Sequence, residues 1–197
     1  MEALRVASRA PLRALWLGSV FFLCALLASG GATTGHAQTL SEYALKAVFL
    51  FNFTQFVEWP SSAFAGPDAP LCIGILGDDP FGAMLDDAVR GESSRGRPLT
   101  VRRTRDVEAV SECQVVFVAA SEQTRVEQIL ARLDAGPTLT VGESAGFARQ
   151  GGVIGFYREG NKLRFEISAS TARRKELKIS SQLLSLGRIV EPEPSES

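Results

Sequence analysis

One stretch of the chain has the spacing of a serine-hydrolase nucleophile, Gly142-Glu143-Ser144-Ala145-Gly146, and it follows a predicted strand. In the G-x-S-x-G motif a sharp turn exposes the serine hydroxyl. That hydroxyl becomes a nucleophile only when a base, usually histidine, removes its proton. The only histidine of the chain is His36, which lies in the N-terminal segment that we expect to be removed as a secretory signal. We therefore expect no catalytic residue, and a hydrolase stays an alternative that loss of esterase turnover in Ser144→Ala would revive.

Metal and cofactor chemistry find equally little support. Asp78 and Asp79 end a predicted strand and resemble the acidic pair that holds magnesium in response-regulator receivers. The strand Cys113–Ala119 lacks the phosphoacceptor aspartate that would complete such a site, so Asp78-Asp79-Pro80 is more simply a turn. There is no G-x-G-x-x-G motif, no P-loop lysine and no histidine for zinc after His36. We expect neither a metal nor a cofactor.

Two basic runs could each face an acidic partner, although such runs are usually solvated surface. The first contains Arg95, Arg97, Arg102, Arg103 and Arg105, and the second contains Arg173, Arg174 and Lys175.

The N-terminal segment has the pattern of a secretory signal. Three arginines precede an apolar run over residues 14–28, and small residues lead to Ala37. A membrane-spanning helix needs about 20 apolar residues, so we expect cleavage before Gln38 and export to the periplasm. An uncleaved membrane anchor is the alternative.

Removal of residues 1–37 leaves 18 basic and 21 acidic residues, a net charge of −3. This balance gives no support for a nucleic-acid partner. The remaining length fits one domain, predicted over residues 38–190. The acidic, proline-containing tail, residues 191–197, is predicted to be disordered.

Export also decides the state of the cysteines. Cys24 leaves with the signal, so Cys72 and Cys113 remain in an oxidising compartment. We expect a disulfide between them, with two reduced buried thiols as the alternative. Closing a loop of about 40 residues stabilises the fold by roughly 4 kcal/mol in the chain-entropy model. Both cysteines open predicted strands, so the bond would staple one edge of the sheet if those strands are neighbours.

The segment from Leu40 to Pro60 holds the densest cluster of large apolar side chains. Thr39 and Glu42 have the spacing of a capping box, which predicts a helix that starts near Leu40 and stops at Trp59-Pro60. Its apolar residues cover more than one stripe, so the helix should be buried on most sides. Lys46 is its only cation, either paired with Glu42 one turn back or exposed at an interface.

The remaining pattern predicts an α/β layered sandwich with a mostly parallel central sheet, helices on both faces, and a C-terminal antiparallel hairpin plus helix. Predicted strands are 71–76, 99–102, 113–119 and 139–141, followed by a hairpin of 153–157 and 163–167. Predicted helices are 81–90, a turn at 106–110, 126–133 capped by Ser121, and a final helical stretch over 168–188.

Six segments together resemble the YfiR family of periplasmic proteins, over roughly residues 41–190. They are YALKAVFLFNFTQFVEWP, CIGILGDDPFG, CQVVFVA, GGVIGFY, LRFEIS and LKISSQLLSLGRIV. The resemblance implies a regulator without catalysis of its own. Such a protein binds the periplasmic sensor domain of an inner-membrane diguanylate cyclase and represses cyclic-di-GMP synthesis, and an OmpA-like outer-membrane lipoprotein sequesters it.

The resemblance also assigns residues. Cys72 and Cys113 correspond to one family disulfide, whereas a second cysteine pair is missing near residues 141–152. Because family members self-associate, the first helix and the last helical stretch are the predicted homodimer or partner face. Its candidate residues are Tyr43, Lys46, Phe49, Phe53, Trp59, Leu177, Ile179, Leu183 and Leu184.

A small-molecule binding module is the alternative from another functional class. Parallel α/β sheets offer a crevice at the carboxyl ends of their strands. The loops 77–81 and 120–124 would line such a crevice.

Overall fold

The apolar segment around Phe53 forms the helix α1, Thr34–Phe56. The computed structural model describes residues 34–193, with side chains from Glu42 onward. The chain divides into two units between Leu40 and Ser41, and the first unit contributes only the opening turns of α1 to the described residues. The predicted signal segment lies largely outside them. The unit that starts at Ser41 contains all other elements.

Both predicted ends of this helix were wrong. The helix already includes residues 34–39, and the Glu42 carboxylate binds Lys46 and Arg158. At its C-terminal end, α1 stops at Phe56 because Val57–Glu58 form the strand β1, which pairs antiparallel with β9, Lys178–Ile179.

The central sheet has eight strands in the order β10-β8-β7-β6-β5-β2-β4-β3. Its strands are β2 (Leu71–Leu76), β3 (Ser93–Ser94), β4 (Arg97–Thr104), β5 (Val115–Val118), β6 (Leu139–Gly142), β7 (Ile154–Glu159), β8 (Lys162–Ile167) and β10 (Arg188–Ile189). Neighbours from β4 through β7 are parallel, and β7 with β8 is an antiparallel hairpin. The predicted α/β fold with a mostly parallel sheet is confirmed.

Helices cover both faces of this sheet, as predicted. One buried cluster joins α1 and α2 (Ala83–Val89) to Ile73, Ile75 and Phe117. The other joins α3 (Val107–Val110) and α4 (Val126–Leu133) to Val116 and Val118. Successive side chains of β2 and β5 therefore point alternately into one buried cluster and into the other. This explains why these strands are apolar without interruption.

The predicted final helical stretch is broken into short elements. They are α5 (Ala169–Arg174), β9, α6 (Ser181–Leu186) and β10. Glu176 adopts a left-handed backbone with φ of 57°. Its N–H bonds to Arg173 O and that of Leu177 bonds to Ala172 O, which is the Schellman pattern that ends a helix.

The predicted capping role of Ser121 was also wrong. A 3-10 segment, Ala120–Arg125, precedes α4, and the Ser121 hydroxyl accepts the N–H of Asp78 at 2.9 Å. The two loops predicted to line a ligand crevice therefore hydrogen-bond to each other. A Cβ atom added at Gly77 would lie 2.5 Å from Ser121 Oγ, so glycine is needed for this close approach.

Candidate functional site

The disulfide joins Cys72 in β2 to Cys113 just before β5, with a Cα–Cα distance of 4.7 Å. The predicted bond is confirmed, and the two strands are parallel neighbours. The predicted position at a sheet edge was wrong, because β2 and β5 lie in the interior of the strand order. The bond therefore fixes the middle of the sheet at its amino-terminal end.

Gln114 connects this bond to the loop that follows β1. Its Oε1 accepts the N–H of Cys72 at 2.9 Å, and its Nε2 donates to Ala63 O at 2.5 Å. Its backbone carbonyl accepts the indole N–H of Trp59 at 3.0 Å. The loop from Trp59 to Pro70 thus lines a cavity of ≈ 490 Å³ next to the disulfide.

The candidate partner-face residues divide into two groups. Lys46, Phe53, Leu177 and Leu183 are buried within the domain. The other candidates, Tyr43, Phe49, Trp59, Ile179 and Leu184, are partly exposed and pack against the core. A partner face at these positions stays a prediction, in which the partly exposed residues would contact the partner and the buried residues would support them.

A cluster of charged side chains holds α1 on the sheet. Lys46 Nζ lies 2.6 Å from Glu143 Oε2 and 2.8 Å from Glu42 Oε1. Glu42 also pairs with Arg158 of β7, and Glu143 Oε1 accepts the N–H of Ala120 at 3.0 Å. Of the two roles considered for Lys46, the buried pairing is the one found. Its second carboxylate partner, Glu143, was missed.

Glu143 belongs to the G-x-S-x-G stretch, where attention falls on the serine. Two signals in the sequence pointed to its role: a single cation in an apolar helix needs a buried partner, and Glu143 directly follows a parallel strand. Sequence alone could not pair the two residues, because 97 positions separate them.

The surroundings of this cluster shift two pKa values. Burial and the neighbouring carboxylates of Glu143 and Glu42 raise the pKa of Tyr43 to about 12. Burial alone would raise the pKa of Glu42, but hydrogen bonds and positive charge from Lys46 and Arg158 outweigh burial and lower it. Lys46 Nζ also lies 4.4 Å from the centre of the Tyr43 ring, a cation–π distance. A cleft of ≈ 270 Å³ opens beside these groups.

Gly142, the first glycine of the G-x-S-x-G stretch, and Gly152, which lies beyond it, have a packing role. A Cβ atom at Gly142 would lie 2.3 Å from the Phe147 ring, and one at Gly152 would lie 2.2 Å from the same ring. Phe147 is buried in the core under α4. The Ser144 hydroxyl is buried and has no hydrogen-bond partner among the described residues. The stretch therefore accommodates Phe147 and brings no base to the serine.

The acidic pair and the first basic run bind each other. Asp79 accepts from Arg103 at 2.6 Å, and Asp78 pairs with Arg105. Arg103 also contacts Asp86 of α2 at 2.8 Å. Asp79 closes the turn by accepting the N–H of Phe81 at 2.8 Å. Within residues 42–193 no group of three or more acidic, cysteine or histidine side chains has a metal-binding arrangement.

The second basic run contains both exposed and buried side chains. Arg173 and Arg174 are exposed, whereas Lys175 is buried and donates to Leu133 O, the end of α4, at 2.6 Å. Burial lowers the pKa of Lys175, and the nearby Asp134 only partly opposes this effect. Lys175 thus satisfies a free carbonyl at a helix C-terminus.

Large apolar side chains remain exposed at two places. Leu45 and Val48 of α1 are 44% and 47% exposed, and Leu186 and Ile189 near the C-terminal end are 63% and 48% exposed. No helix among the described residues combines the length and apolarity that crossing a bilayer would require.

Two solved structures are similar to part of this chain. A conserved domain protein from Vibrio cholerae O1 biovar El Tor is 10% identical with a TM-score of 0.46, covering 60% of this chain and 54% of its own. The ABC domain from Streptococcus pneumoniae, solved with L-Trp, is 9% identical with a TM-score of 0.45, covering 61% and 55%. The chain thus spans about half of either protein. No curated protein matches it.

The family comparison is decisive by contrast. The model of the YfiR/HmsC-like domain (DUF4154) matches residues 43–188, from Tyr43 in α1 to Arg188, the first residue of β10. It includes Cys72 and Cys113, the hairpin, and every member of the Lys46 cluster except Glu42. The chain therefore belongs to the YfiR/HmsC-like family.

Proposed function

We propose that this protein is a non-catalytic periplasmic repressor, which binds the periplasmic sensor domain of an inner-membrane diguanylate cyclase and lowers cyclic-di-GMP synthesis. The family match over residues 43–188 carries the proposal, because membership fits a periplasmic regulator of cyclic-di-GMP signalling. A homodimer and sequestration by an OmpA-like outer-membrane lipoprotein belong to the same proposal. The predicted signal segment supports export.

The described chemistry is compatible with a binding role. The Ser144 hydroxyl has no partner in the described residues, and the acidic pair Asp78 and Asp79 is occupied by arginines. A disulfide in the middle of the sheet suits an exported domain.

Cellular cyclic-di-GMP tests the repressor directly. Deletion of the gene should raise the cyclic-di-GMP level, and the wild-type protein should restore it. Cys72→Ser should restore it poorly, because loss of the disulfide loosens the fold. An unchanged level after deletion would remove the repressor proposal in that host.

The partner surface is best sought among exposed apolar residues. On α1 these are Leu45 and Val48, one turn apart on the helix. Leu45→Glu should abolish repression without lowering the melting temperature, because the side chain contributes little to the core. Leu186→Glu is the comparison variant at the C-terminal end, because Leu186 on α6 is more exposed than Leu45, 63% against 44%. Loss of repression in Leu186→Glu alone would move the partner face to the C-terminal end.

A small-molecule binding module is the second candidate. The cleft of ≈ 270 Å³ lies at the carboxyl ends of β5 and β6, lined by Ala120, Glu143 and aromatic side chains. A metabolite at 100 times its dissociation constant would stabilise the domain by about 2.7 kcal/mol. A thermal-shift screen of small metabolites that gives no shift would count against this candidate.

A further inference from the structure

The outer side of β4 is an open sheet edge. β4 runs over Arg97–Thr104, but its outer neighbour β3 pairs only with Arg97 and Pro98. The turn Arg95-Gly96, with φ of 52° and 80°, reverses the chain and ends this cover. From Leu99 to Thr104, no strand of the described chain lies along the outer side of β4.

The backbone direction at this edge follows from one hydrogen bond. Thr104 O accepts the N–H of Gly77, so the polar backbone groups of Thr104 face β2. Because they alternate along a strand, those of Thr100 and Arg102 face β2 as well. The N–H and C=O groups of Leu99, Val101 and Arg103 therefore point outward. No strand of the described residues lies beside the outward groups of Val101 and Arg103, because the pairing of β3 with β4 ends at Pro98.

Such a row of free groups is a template for a further strand. Natural proteins usually blunt it with very short strands, charged side chains, proline or cover by a helix. The edge strand at the other end of the sheet, β10, has only two residues. The proline of β4, Pro98, lies in the part that already pairs with β3. Every residue of β4 from Leu99 onward therefore has a backbone N–H group.

The charge of the edge selects its partner. The Arg102 guanidinium donates to a backbone carbonyl, Ala109 O at 2.7 Å, and has no carboxylate within 4 Å among the described residues. Arg103, by contrast, is neutralised by Asp79 and Asp86. A second copy paired antiparallel would bring Arg102 of both copies onto one face of the joined sheet, which is unfavourable. An incoming strand with carboxylates would instead compensate Arg102.

We propose that the free edge of β4 binds an extended segment of a partner protein that carries acidic side chains, as an added strand. The three outward residues hold its backbone, and Arg102 pairs with a carboxylate across the strands. This inference rests on the proposed function only for the identity of the partner, because strand addition at β4 is tested without a cyclase.

The direct test uses the exported protein and a capped seven-residue peptide that alternates valine with glutamate. Hydrogen exchange at the amides of Leu99, Val101 and Arg103 should slow when the peptide is present. The amides of Thr100 and Arg102 should not change, because they face β2 in either state. The same peptide with lysine in place of glutamate should bind about tenfold more weakly or not at all.

Two variants separate the backbone from the charge. Val101→Pro removes one outward N–H without breaking the ladder to β2, and it should weaken the glutamate peptide about tenfold. Val101→Thr keeps that N–H and serves as its control. Arg102→Gln should reduce the preference for glutamate over lysine while leaving the amide protection pattern in place. Circular dichroism confirms that each variant is folded.

Several results would overturn the inference. They are unchanged exchange at the three outward amides, equal affinity for both peptides, or equal affinity in Val101→Pro and Val101→Thr. Protection that grows with protein concentration alone, together with a dimer by sedimentation, would assign the edge to a second copy and also overturn it. If Val101→Pro fails to fold, the exchange pattern of the wild type still decides.

The proposed repressor function fails separately. If deletion of the gene leaves cyclic-di-GMP unchanged, the repressor is refuted whatever the peptide does. If deletion raises it and folded Val101→Pro restores it fully, repression stands but does not use the β4 edge.

Discussion

Lys46 holds two carboxylates at the point where α1 meets the carboxyl ends of the sheet strands. Its side chain is 5% exposed and that of Glu143 is 8% exposed. Lys46→Met keeps the length and apolar stem of the side chain but removes the ammonium group. Glu143 is then left as a buried carboxylate with no positive charge beside it, next to the N–H of Ala120 and the Tyr43 hydroxyl.

The structure sets the size of the expected loss. Removing one partner of a buried ion pair typically costs about 3–5 kcal/mol, because the remaining charge is uncompensated. We expect the lower end, about 3 kcal/mol, since Glu42 keeps Arg158 and Glu143 keeps one backbone donor. For a domain of this size this corresponds to a fall in melting temperature of about 6–12 °C.

A double-mutant cycle isolates the pair. Urea denaturation of the wild type, Lys46→Met, Glu143→Gln and the double variant gives each free energy of unfolding. In the double variant no buried charge is unpaired, so it should recover about 2 kcal/mol relative to the sum of the single losses. Lys162→Met is the matched control, because Lys162 is exposed on the hairpin and its loss should cost less than about 0.5 kcal/mol.

Two results would refute this reasoning. If Lys46→Met costs no more than Lys162→Met, Lys46 does not hold α1 by charge. If the two single losses simply add, Lys46 and Glu143 stabilise the fold independently and the short distance between them carries no coupling.

Four further outcomes are expected. Replacing Cys72 and Cys113 together by alanine should lower the free energy of unfolding by about 4 kcal/mol, since the bond spans 41 residues, and reducing agent should destabilise the wild type similarly by calorimetry. Gly142→Ala should cost about 2 kcal/mol through its clash with Phe147, whereas Ser144→Ala should change urea stability by less than about 0.5 kcal/mol. Glu176→Gly should stabilise by about 0.5 kcal/mol because glycine adopts a positive φ freely, and Glu176→Ala, which does not, is the control. The pKa of Glu42 in the folded protein lies below its ordinary value of 4.5, so the Glu42 carboxylate stabilises the fold fully above that value. This stabilisation disappears as pH falls through the folded pKa. The difference in melting temperature between the wild type and Glu42→Gln should therefore shrink in the same pH range.

Contrary results would be equally clear. A reduced protein as stable as the oxidised one would contradict the chain-entropy estimate, and a tolerated Gly142→Ala would show that Phe147 moves aside. A Glu42→Gln difference that stays constant from pH 7 to pH 3 would mean that the carboxylate is not stabilised by Lys46 and Arg158.

Local sequence patterns were sufficient to predict those elements whose conformation depends on their own residues. The apolar runs at β2 and β5 predicted buried parallel strands, and the alternation around Tyr157 and Phe165 predicted a hairpin. They failed where the conformation of a segment depends on its pairing with a distant segment. The stretch after Ser168 reads as helix, yet Lys178 and Ile179 pair with β1 and the helix breaks at Glu176. The Glu42 side chain has capping spacing, and the structure pairs it with Arg158 of β7, which no local pattern indicates.

The sequence by itself determined the α/β class and the disulfide, because these depend on residue type, composition and short-range periodicity. The tertiary structure alone decided that Lys46 meets Glu143, that the disulfide lies in the middle of the sheet, and that β4 has a free edge. Those features depend on which distant segments become neighbours. Strand order and register are settled by the packing of the whole domain, which no local pattern encodes.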